Sequence, residues 1–435
     1  MKHLLFIAFA FPPRGGAGVQ RAAKLVQYLP AFGWSTTVLT VAADGSGTPD
    51  ASHLVRVSNT AEIVRVPCFD PVAGAVGDAT VPGPSPPAGP PGRVPLKRRL
   101  RRVAGRLWSF GERHALIPDR SILWHPRAYA AARRILNGRR VDLICATGEP
   151  YSSFLLARRL SKRTGVPFVI DIRDPWTLEP YRDERPTRVR QAIERWQERR
   201  VLEDASHCVF ATQSLDVYGQ AYPALAGKFE YIPNGYDADD FTGVTPRAFD
   251  RFTIVHNGTF LPGYRTPDTF LEGVRRLLAL QPALRAGLRV LFVGKPGPER
   301  GLAQRMGLDD VVESVGYQPH RTSLEFVTGA DLLLIVGGRH RWEETGKIYE
   351  YLAAGKPVLG VIEPSGAAAR LLQRYELGRV ADRSSPAEVA QRLSEAVAQG
   401  RGTTAPAPPA WIGEFDRRRL VGRMAVAFDR VVASA

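Results

Sequence analysis

The chain has 435 residues, of which 44 % are hydrophobic and 23 % charged, a globular balance that excludes a disordered or fibrous protein. Lys and Arg number 59 against 43 Asp and Glu, a net charge of +16, which favours nucleic acid, an anionic membrane or phosphorylated ligands without choosing among them. Cys68, Cys145 and Cys208 are an odd set with no C-x-x-C spacing; Cys145 and Cys208 lie in apolar runs and read as small buried hydrophobes of a reducing compartment.

The opening MKHLLFIAFAF has the charge and apolar run of a secretory leader. No small-residue cleavage site follows it, and FPPRGGAGVQR reads as a glycine-rich turn into a helix, so a buried first strand is expected. No run reaches the roughly 20 apolar residues of a membrane span. The expectation is a cytoplasmic protein, soluble or peripheral on the inner face of the cell membrane.

Continuously apolar runs predict strands at residues 3–10, 35–41, 63–67, 141–147, 167–172 and 208–212, with helices at 20–29, 128–136, 151–163 and 188–205. Such runs fit parallel strands covered on both faces. The second half repeats the alternation, with strands at 253–257, 288–293, 311–314, 331–336 and 357–361. Its helices are expected at 267–280, 299–305, 321–328, 347–354, 367–375 and 387–398. The fold class is therefore α/β, two Rossmann-like doubly wound domains. The first domain is placed at residues 1–225, a turn-rich linker at 226–250, the second domain at 251–410, and a C-terminal helix at 411–435, packing back on the first domain.

Residues 71–110 break the pattern. Residues 71–95 hold eight prolines and five glycines and read as a mobile loop. Residues 96–110, LKRRLRRVAGRLWSF, carry six basic residues and an apolar face of Leu96, Leu100, Val103 and Leu107. That composition suits a helix on an anionic bilayer, or one packed on its own domain with a solvated basic face.

Four stretches carry candidate chemistry. RGGAG (residues 14–18) lies between a strand and a helix, where Gly15 and Gly16 would let backbone approach an anion; the other reading is a structural turn. Its spacing does not fit the dinucleotide fingerprint, which disfavours a nicotinamide enzyme. VIDIRDPW ends a strand and places Asp171, Arg173 and Asp174 at the rim where open α/β sheets bind ligands, with Glu149 of CATGEP nearby; a charge network capping the strand is the alternative. In HNGTFLPGYR, Gly258 marks a turn and Arg265 could clamp a diphosphate. In EETGKIYEYLAAGKP, Gly346 and Lys347 open a helix as an anion site, and Glu350, one turn on, could accept two hydroxyl hydrogens of a ribose.

Taken in order, FPPRGGAGVQR, IDIRDPW, IPNGYD, HNGTF…R, VGYQPH and KIYEYLAAGKPVLG resemble the retaining glycosyltransferases of family 4, with the GT-B fold, over nearly the whole chain except residues 71–110. The resemblance implies two domains facing across a cleft that holds a nucleoside-diphosphate sugar. It implies that Gly15 and Gly16 lie near the donor phosphates and acceptor. It places Arg265, Gly346 and Lys347 on the diphosphate, Gly316 and Tyr317 beside the nucleobase, and Glu350 on the ribose as the second acid of the family's E-x7-E motif. Arg173 and Asp174 fall where many members carry a catalytic-site His or Asp. The first E-x7-E acid is missing, since position 342 is Trp342, with Glu343 and Glu344 adjacent but out of register.

The expected reaction displaces a nucleoside diphosphate from an anomeric carbon, with Arg173, Asp174, Arg265 and Lys347 as its catalytic residues. The developing negative charge would be met by Arg265 and Lys347 without a metal or a further cofactor. Asp237-Ala238-Asp239 spells D-x-D, but follows PNG and reads as a turn. The expected acceptor is a glycan or a lipid-linked molecule in cell-envelope or exopolysaccharide synthesis, with an anionic membrane surface as a further partner. The competing readings are a sugar-nucleotide epimerase of the same fold and a non-enzymatic basic protein binding nucleic acid or membrane. The absence of a recognisable nucleic-acid motif argues against nucleic acid as a partner.

Overall fold

The computed structural model describes residues 1–15, 17–42, 54–68, 116–178, 187–297, 299–402 and 408–435. Gly16, the proline-rich stretch and the basic segment 96–110 lie outside the described residues. The chain divides into two compact units: residues 1–211, 217–230 and 424–435, and residues 212–216 and 231–423.

The first unit carries β1 (Lys2–Ile7), β2 (Trp34–Val41), β3 (Ala61–Val66), β4 (Leu143–Gly148), β5 (Phe168–Ile172), β6 (His207–Phe210) and β7 (Phe229–Tyr231). They form one sheet in the order β3-β2-β1-β4-β5-β6-β7, parallel at each pairing from β3 across to β6. β4 reads LICATG and is buried along its whole length. Continuous burial is the signature of a sheet with helices on both faces. Right-handed crossovers place the helix Ala17–Tyr28 on one face and the helices His125–Gly138, Ser152–Thr164 and Arg188–Asp204 on the other. Thr187 starts the last of these by accepting the Arg190 N–H at 3.1 Å. Near the C-terminus, Phe428 meets the Trp34 ring edge-on at 5.6 Å, and Asp429 accepts from Trp34 Nε1 at 3.0 Å.

The second unit carries β8 (Phe252–Asn257), β9 (Leu288–Val293), β10 (Val312–Gly316), β11 (Leu332–Val336), β12 (Val358–Ile362) and β13 (Gly378–Asp382) in the order β10-β9-β8-β11-β12-β13. All its pairings are parallel. A core around Phe270, Val274, Phe292, Leu334 and Leu393 fills one face of the sheet. Val255, Leu333, Ile348, Tyr351 and Leu352 fill the other. Ser385 starts the helix Pro386–Gln399 with a cap on the Glu388 N–H.

Both units therefore run strand three, two, one, four, five, six from one edge. The direction of winding reverses between β1 and β4 and again between β8 and β11. In open α/β sheets, ligands bind outside the carboxyl ends of the strands at that reversal. The loops that matter are residues 8–15 and 149–151 in the first unit, and 258–267 and 337–346 in the second.

Some elements escaped the sequence. β13 reads GRVAD, an edge strand with charged residues and no apolar run. The stretch taken as turn-rich linker holds a 3-10 helix (Pro223–Lys228), β7 and the short helix Ala238–Phe241. Asp237, the first acid of D-x-D, caps that helix by accepting from Asp239 N at 3.0 Å.

Candidate active site

The strand-end loops of the second unit carry buried polar atoms without a protein partner, on His256, Arg265 and Thr345. Lys347 follows the loop after β11 and opens the helix Lys347–Ala353. Its ammonium reaches over Gly258, just past β8: a Cβ on Gly258 would lie 1.7 Å from Lys347 Nζ. A side chain at position 258 would displace the ammonium from where it stands. The Gly258 N–H is bonded to Val293 O at 2.7 Å, so the residue contributes space rather than a donor.

His256 stands beneath this pair and is buried. Its Nδ1 donates to the Leu334 carbonyl at 2.9 Å, which leaves Nε2 as the acceptor of a neutral ring. Nε2 has no hydrogen-bond partner and lies 3.0 Å from the same point above Gly258. Burial, then the Lys347 charge, push the His256 pKa well below its ordinary value. Arg265 ends a tight loop closed by reciprocal backbone bonds with Leu261, both 2.8 Å. Its Nε is buried without a partner, and its charge acts on both Lys347 and His256. Burial first, and Arg265 second, lower the Lys347 pKa to about 7, with Glu350 opposing. Thr345 Oγ1 is a further buried atom without a partner.

The two glutamates beside Trp342 part company. Glu343 accepts from Gly338 N at 2.9 Å and from the Tyr264 hydroxyl, and stands 3.7 Å from Arg265 Nη1. It lines a pocket with Gly337, Gly338, His340 and Thr345. Glu344 is buried and accepts from the hydroxyls of Tyr231 and Tyr349; burial raises its pKa. Trp342 stacks on His340 at 5.4 Å between ring centroids, and His340 on Tyr264 at 6.4 Å.

Glu350 sits one turn beyond Lys347. His320 Nε2 lies 3.0 Å from its carboxylate, and His320 Nδ1 is 3.9 Å from Asp240. Burial alone would raise the Glu350 pKa, but His320, Arg417 and Lys347 hold it below the ordinary value. Gly316 closes β10, with Tyr317 next in the chain. Gly346 precedes Lys347 with Asn234 of IPNGYD close by.

In the first unit the corresponding positions are engaged with each other. Asp171 is turned into the core and takes Arg21 in a two-pronged pair, Nη2 at 2.8 Å and Nε at 3.1 Å, with Thr147 Oγ1 at 2.8 Å. Burial would raise the Asp171 pKa, yet the Arg21 charge and these bonds hold it below the ordinary value. Arg173 donates to the carbonyls of Gly148 and Glu149, each at 2.6 Å. Its guanidinium lies across Gly18, where a Cβ would stand 1.2 Å from Nη1. The Asp174 side chain is exposed, and Gly15 stands two positions before the helix Ala17–Tyr28. Trp176 is buried and stacks on Tyr151 at 5.2 Å.

Sequence reasoning named Gly258, Arg265, Lys347 and Glu350, which stand at one strand-end region. It placed Thr345 beside Gly346 at the start of the helix, and did not single out His256, Tyr264 or His320. His256 lay inside the quoted HNGTF motif, and its place as the last residue but one of an apolar strand was the available signal. Among the described residues no group of His, Cys, Asp and Glu is arranged to hold a metal ion, and no helix is long and apolar enough to cross a membrane.

A sequence profile described as the glycosyl transferase 4-like domain matches residues 15–235. The fold is similar to a sucrose-phosphate synthase from Thermosynechococcus elongatus, at 17 % identity and TM-score 0.64 over 100 % of both chains. It is similar to HepE of Anabaena, solved with UDP and glucose, at 14 % identity and TM-score 0.61 over 99 % of this chain and 100 % of that one. WaaG, a glycosyltransferase involved in lipopolysaccharide biosynthesis, matches at 15 % identity and TM-score 0.56 over 99 % of each chain. No curated protein sequence matches the chain.

Proposed function

The chain belongs to the glycosyl transferase 4-like family, a GT-B glycosyltransferase that takes its sugar from a nucleotide sugar, and on that premise we propose that Arg265 and Lys347 hold the donor's diphosphate. The observation that carries this is the convergence at β8 and β11 of Lys347 Nζ, Arg265 Nε, His256 Nε2 and Thr345 Oγ1. Three of these are buried atoms without a protein partner, and Lys347 extends over a glycine cut away for it. Buried polar groups left unpaired are costly, so a ligand with acceptor oxygens and negative charge is the natural complement of the donors Arg265 Nε, Thr345 Oγ1 and Lys347 Nζ.

The reaction follows from that assignment. As the bond from the anomeric carbon to the phosphate oxygen breaks, the electron pair leaves with the diphosphate. Arg265 and Lys347 stabilise the growing charge, which is the main catalytic task when the leaving group is already acidic. Two fixed cations can do this without a metal. Glu350, held by His320, accepts ribose hydroxyls; Gly316 and Tyr317 flank the nucleobase. Glu343, rather than an acid at position 342, faces the transferred sugar, because Glu344 is enclosed by two tyrosines. Gly15, Gly16, Arg173 and Asp174 belong to the acceptor side, and the acceptor is a glycan or lipid-linked molecule of envelope polysaccharide synthesis. Transfer retains the anomeric configuration, as in the family the motifs resemble. HepE, crystallised with UDP and glucose, makes UDP-sugars the first donors to try.

The test is a thermal-shift panel of UDP-, GDP-, dTDP- and ADP-sugars, run with and without a chelator. One nucleotide should raise the melting temperature, by about 2.7 kcal/mol of stability at 100 times its Kd, in the chelator as well. Lys347→Ala and Arg265→Ala should abolish the shift. No response to any sugar nucleotide would overturn the assignment. Turnover that a chelator removes and manganese restores would overturn the metal-independent route.

A further inference from the structure

The first unit carries an unusual outer face. Three neighbouring helices cover one side of its sheet, His125–Gly138 packed on Ser152–Thr164 and that helix packed on Arg188–Asp204. Together they hold twelve Arg or Lys residues and four acids. Two of those acids, Glu194 and Glu198, are buried. The others, Glu203 and Asp204, are already paired with Arg199, Arg200, Arg158 and Lys162. The solvent side of this layer is therefore strongly basic, with Arg134, Arg163, Arg188 and Arg195 all exposed.

Within that basic field the helix Arg188–Asp204 exposes an apolar stripe. Val189 is 69 % exposed, Ile193 38 % and Trp196 58 %. Their spacing of four and three residues puts them on one face of the helix, with exposed Ala192 between them. Glu194, Glu198, Val201 and Leu202 occupy the opposite, buried side. A helix on a soluble protein ordinarily shows polar residues outward. This one turns an apolar stripe outward, ringed by arginine, while two glutamates lie on its buried side.

We propose that this helix face docks on an anionic lipid bilayer, with Trp196, Ile193 and Val189 entering the interface and the surrounding arginines meeting lipid headgroups. The chemistry selects that occupant. A second copy of the chain would bring one basic face against another, and like charges there are costly. A nucleic acid would match the charge but has no use for an aliphatic Val–Ile stripe. An anionic bilayer satisfies both, since tryptophan settles at the headgroup level and basic side chains are attracted to acidic lipids. None of the residues named here belongs to 96–110, and the proposal does not depend on the donor chemistry above.

Co-sedimentation of the full-length protein with vesicles tests it, using phosphatidylcholine alone and phosphatidylcholine with 30 % phosphatidylglycerol, a composition of roughly physiological anionic charge. Binding is expected to the anionic vesicles and to fall with salt. Ile193→Ser with Trp196→Ala should weaken it about tenfold or more. Arg188→Gln and Arg195→Gln should each weaken it about fivefold. All four side chains are exposed, and an unchanged melting temperature and unchanged donor thermal shift confirm that the variants are folded and keep the donor site. Anionic-vesicle binding that these variants leave intact, while deletion of residues 96–110 abolishes it, would overturn the proposal. So would salt-sensitive DNA binding without vesicle binding, or a dimer in sedimentation that Trp196→Ala dissolves.

Discussion

The two units share one strand order but treat their cations differently. At the winding reversal of the first, Arg21 is locked to Asp171 and Arg173 to two backbone carbonyls. At that of the second, Lys347 has its ammonium above a glycine, and Arg265 has an Nε without a partner and its nearest carboxylate at 3.7 Å. A buried cation with a bidentate partner holds a fold together, since removing one member leaves an uncompensated charge. A pair of cations that raise the cost of each other's charge stabilises nothing until an anion arrives. The same topology thus carries a finished structural network in one unit and an incomplete electrostatic one in the other.

The sharpest way to break this comparison is to delete one cation from each unit. Arg21→Ala should cost about 3–5 kcal/mol of stability, a fall in Tm of roughly 10 °C for a unit of this size. Lys347→Ala should leave Tm unchanged or higher while reducing kcat/KM about 10²- to 10³-fold. The acid limb gives a second reading. Asp171 has a folded pKa below its ordinary value, so its contribution is complete above about pH 4 and lost as the pH falls through the folded pKa. In Asp171→Asn that acid-dependent loss should disappear. Denaturant melts of the three variants, with initial rates, check all of this. Equal stability losses from Arg21→Ala and Lys347→Ala would erase the distinction.

The sequence made the apolar strands legible because parallel strands covered on both faces leave no polar alternation; β4 and β11 are buried throughout. β13 stayed hidden because an edge strand needs less burial and tolerates Arg379 and Asp382. Gly258 and Lys347 were each visible as motif residues, but their meeting was not, since 89 residues of chain separate a glycine from the side chain that needs its missing Cβ. Arg21–Asp171 was invisible for the same reason: Asp171 looked like a rim acid beside Arg173, and only the fold turns it inward onto a helix 150 residues earlier. Charge pattern along a chain says which groups exist, whereas which are already satisfied is a property of the packed structure.

Glu343 and Glu344 carry the comparison into neighbouring residues. Glu343 lies at the pocket beside Arg265, and Glu344 is enclosed by Tyr231 and Tyr349. Glu343→Gln keeps the shape and removes the charge. It should lower kcat/KM by about 10- to 100-fold, the loss of one charge-assisted hydrogen bond, and leave Tm within about 0.5 kcal/mol of wild type. Glu344→Gln should leave donor kinetics near wild type, because burial already favours the uncharged acid. Steady-state rates and melts on both variants decide it, and a larger kinetic defect in Glu344→Gln would reverse the assignment.

The smallest effect is a proton. With a pKa lowered to about 7, Lys347 is mostly neutral at pH 8 in the ligand-free protein. Its folded pKa lies below the ordinary 10.5, so it is a source of instability below pH 7 that fades as the pH rises. A diphosphate placed against it reverses the balance by favouring the charged form, and His256 Nε2 stands ready to accept one of the ammonium hydrogens. Donor binding should then take up about one proton at pH 8 and almost none at pH 6, and affinity should fall about tenfold per pH unit above 7. Titration calorimetry in buffers of different ionisation enthalpy measures the uptake. Lys347→Arg, charged at every accessible pH, should remove both the uptake and the pH slope. Proton uptake that persists in Lys347→Arg would place the titrating group elsewhere and leave the cations of the second unit no more responsive than those of the first.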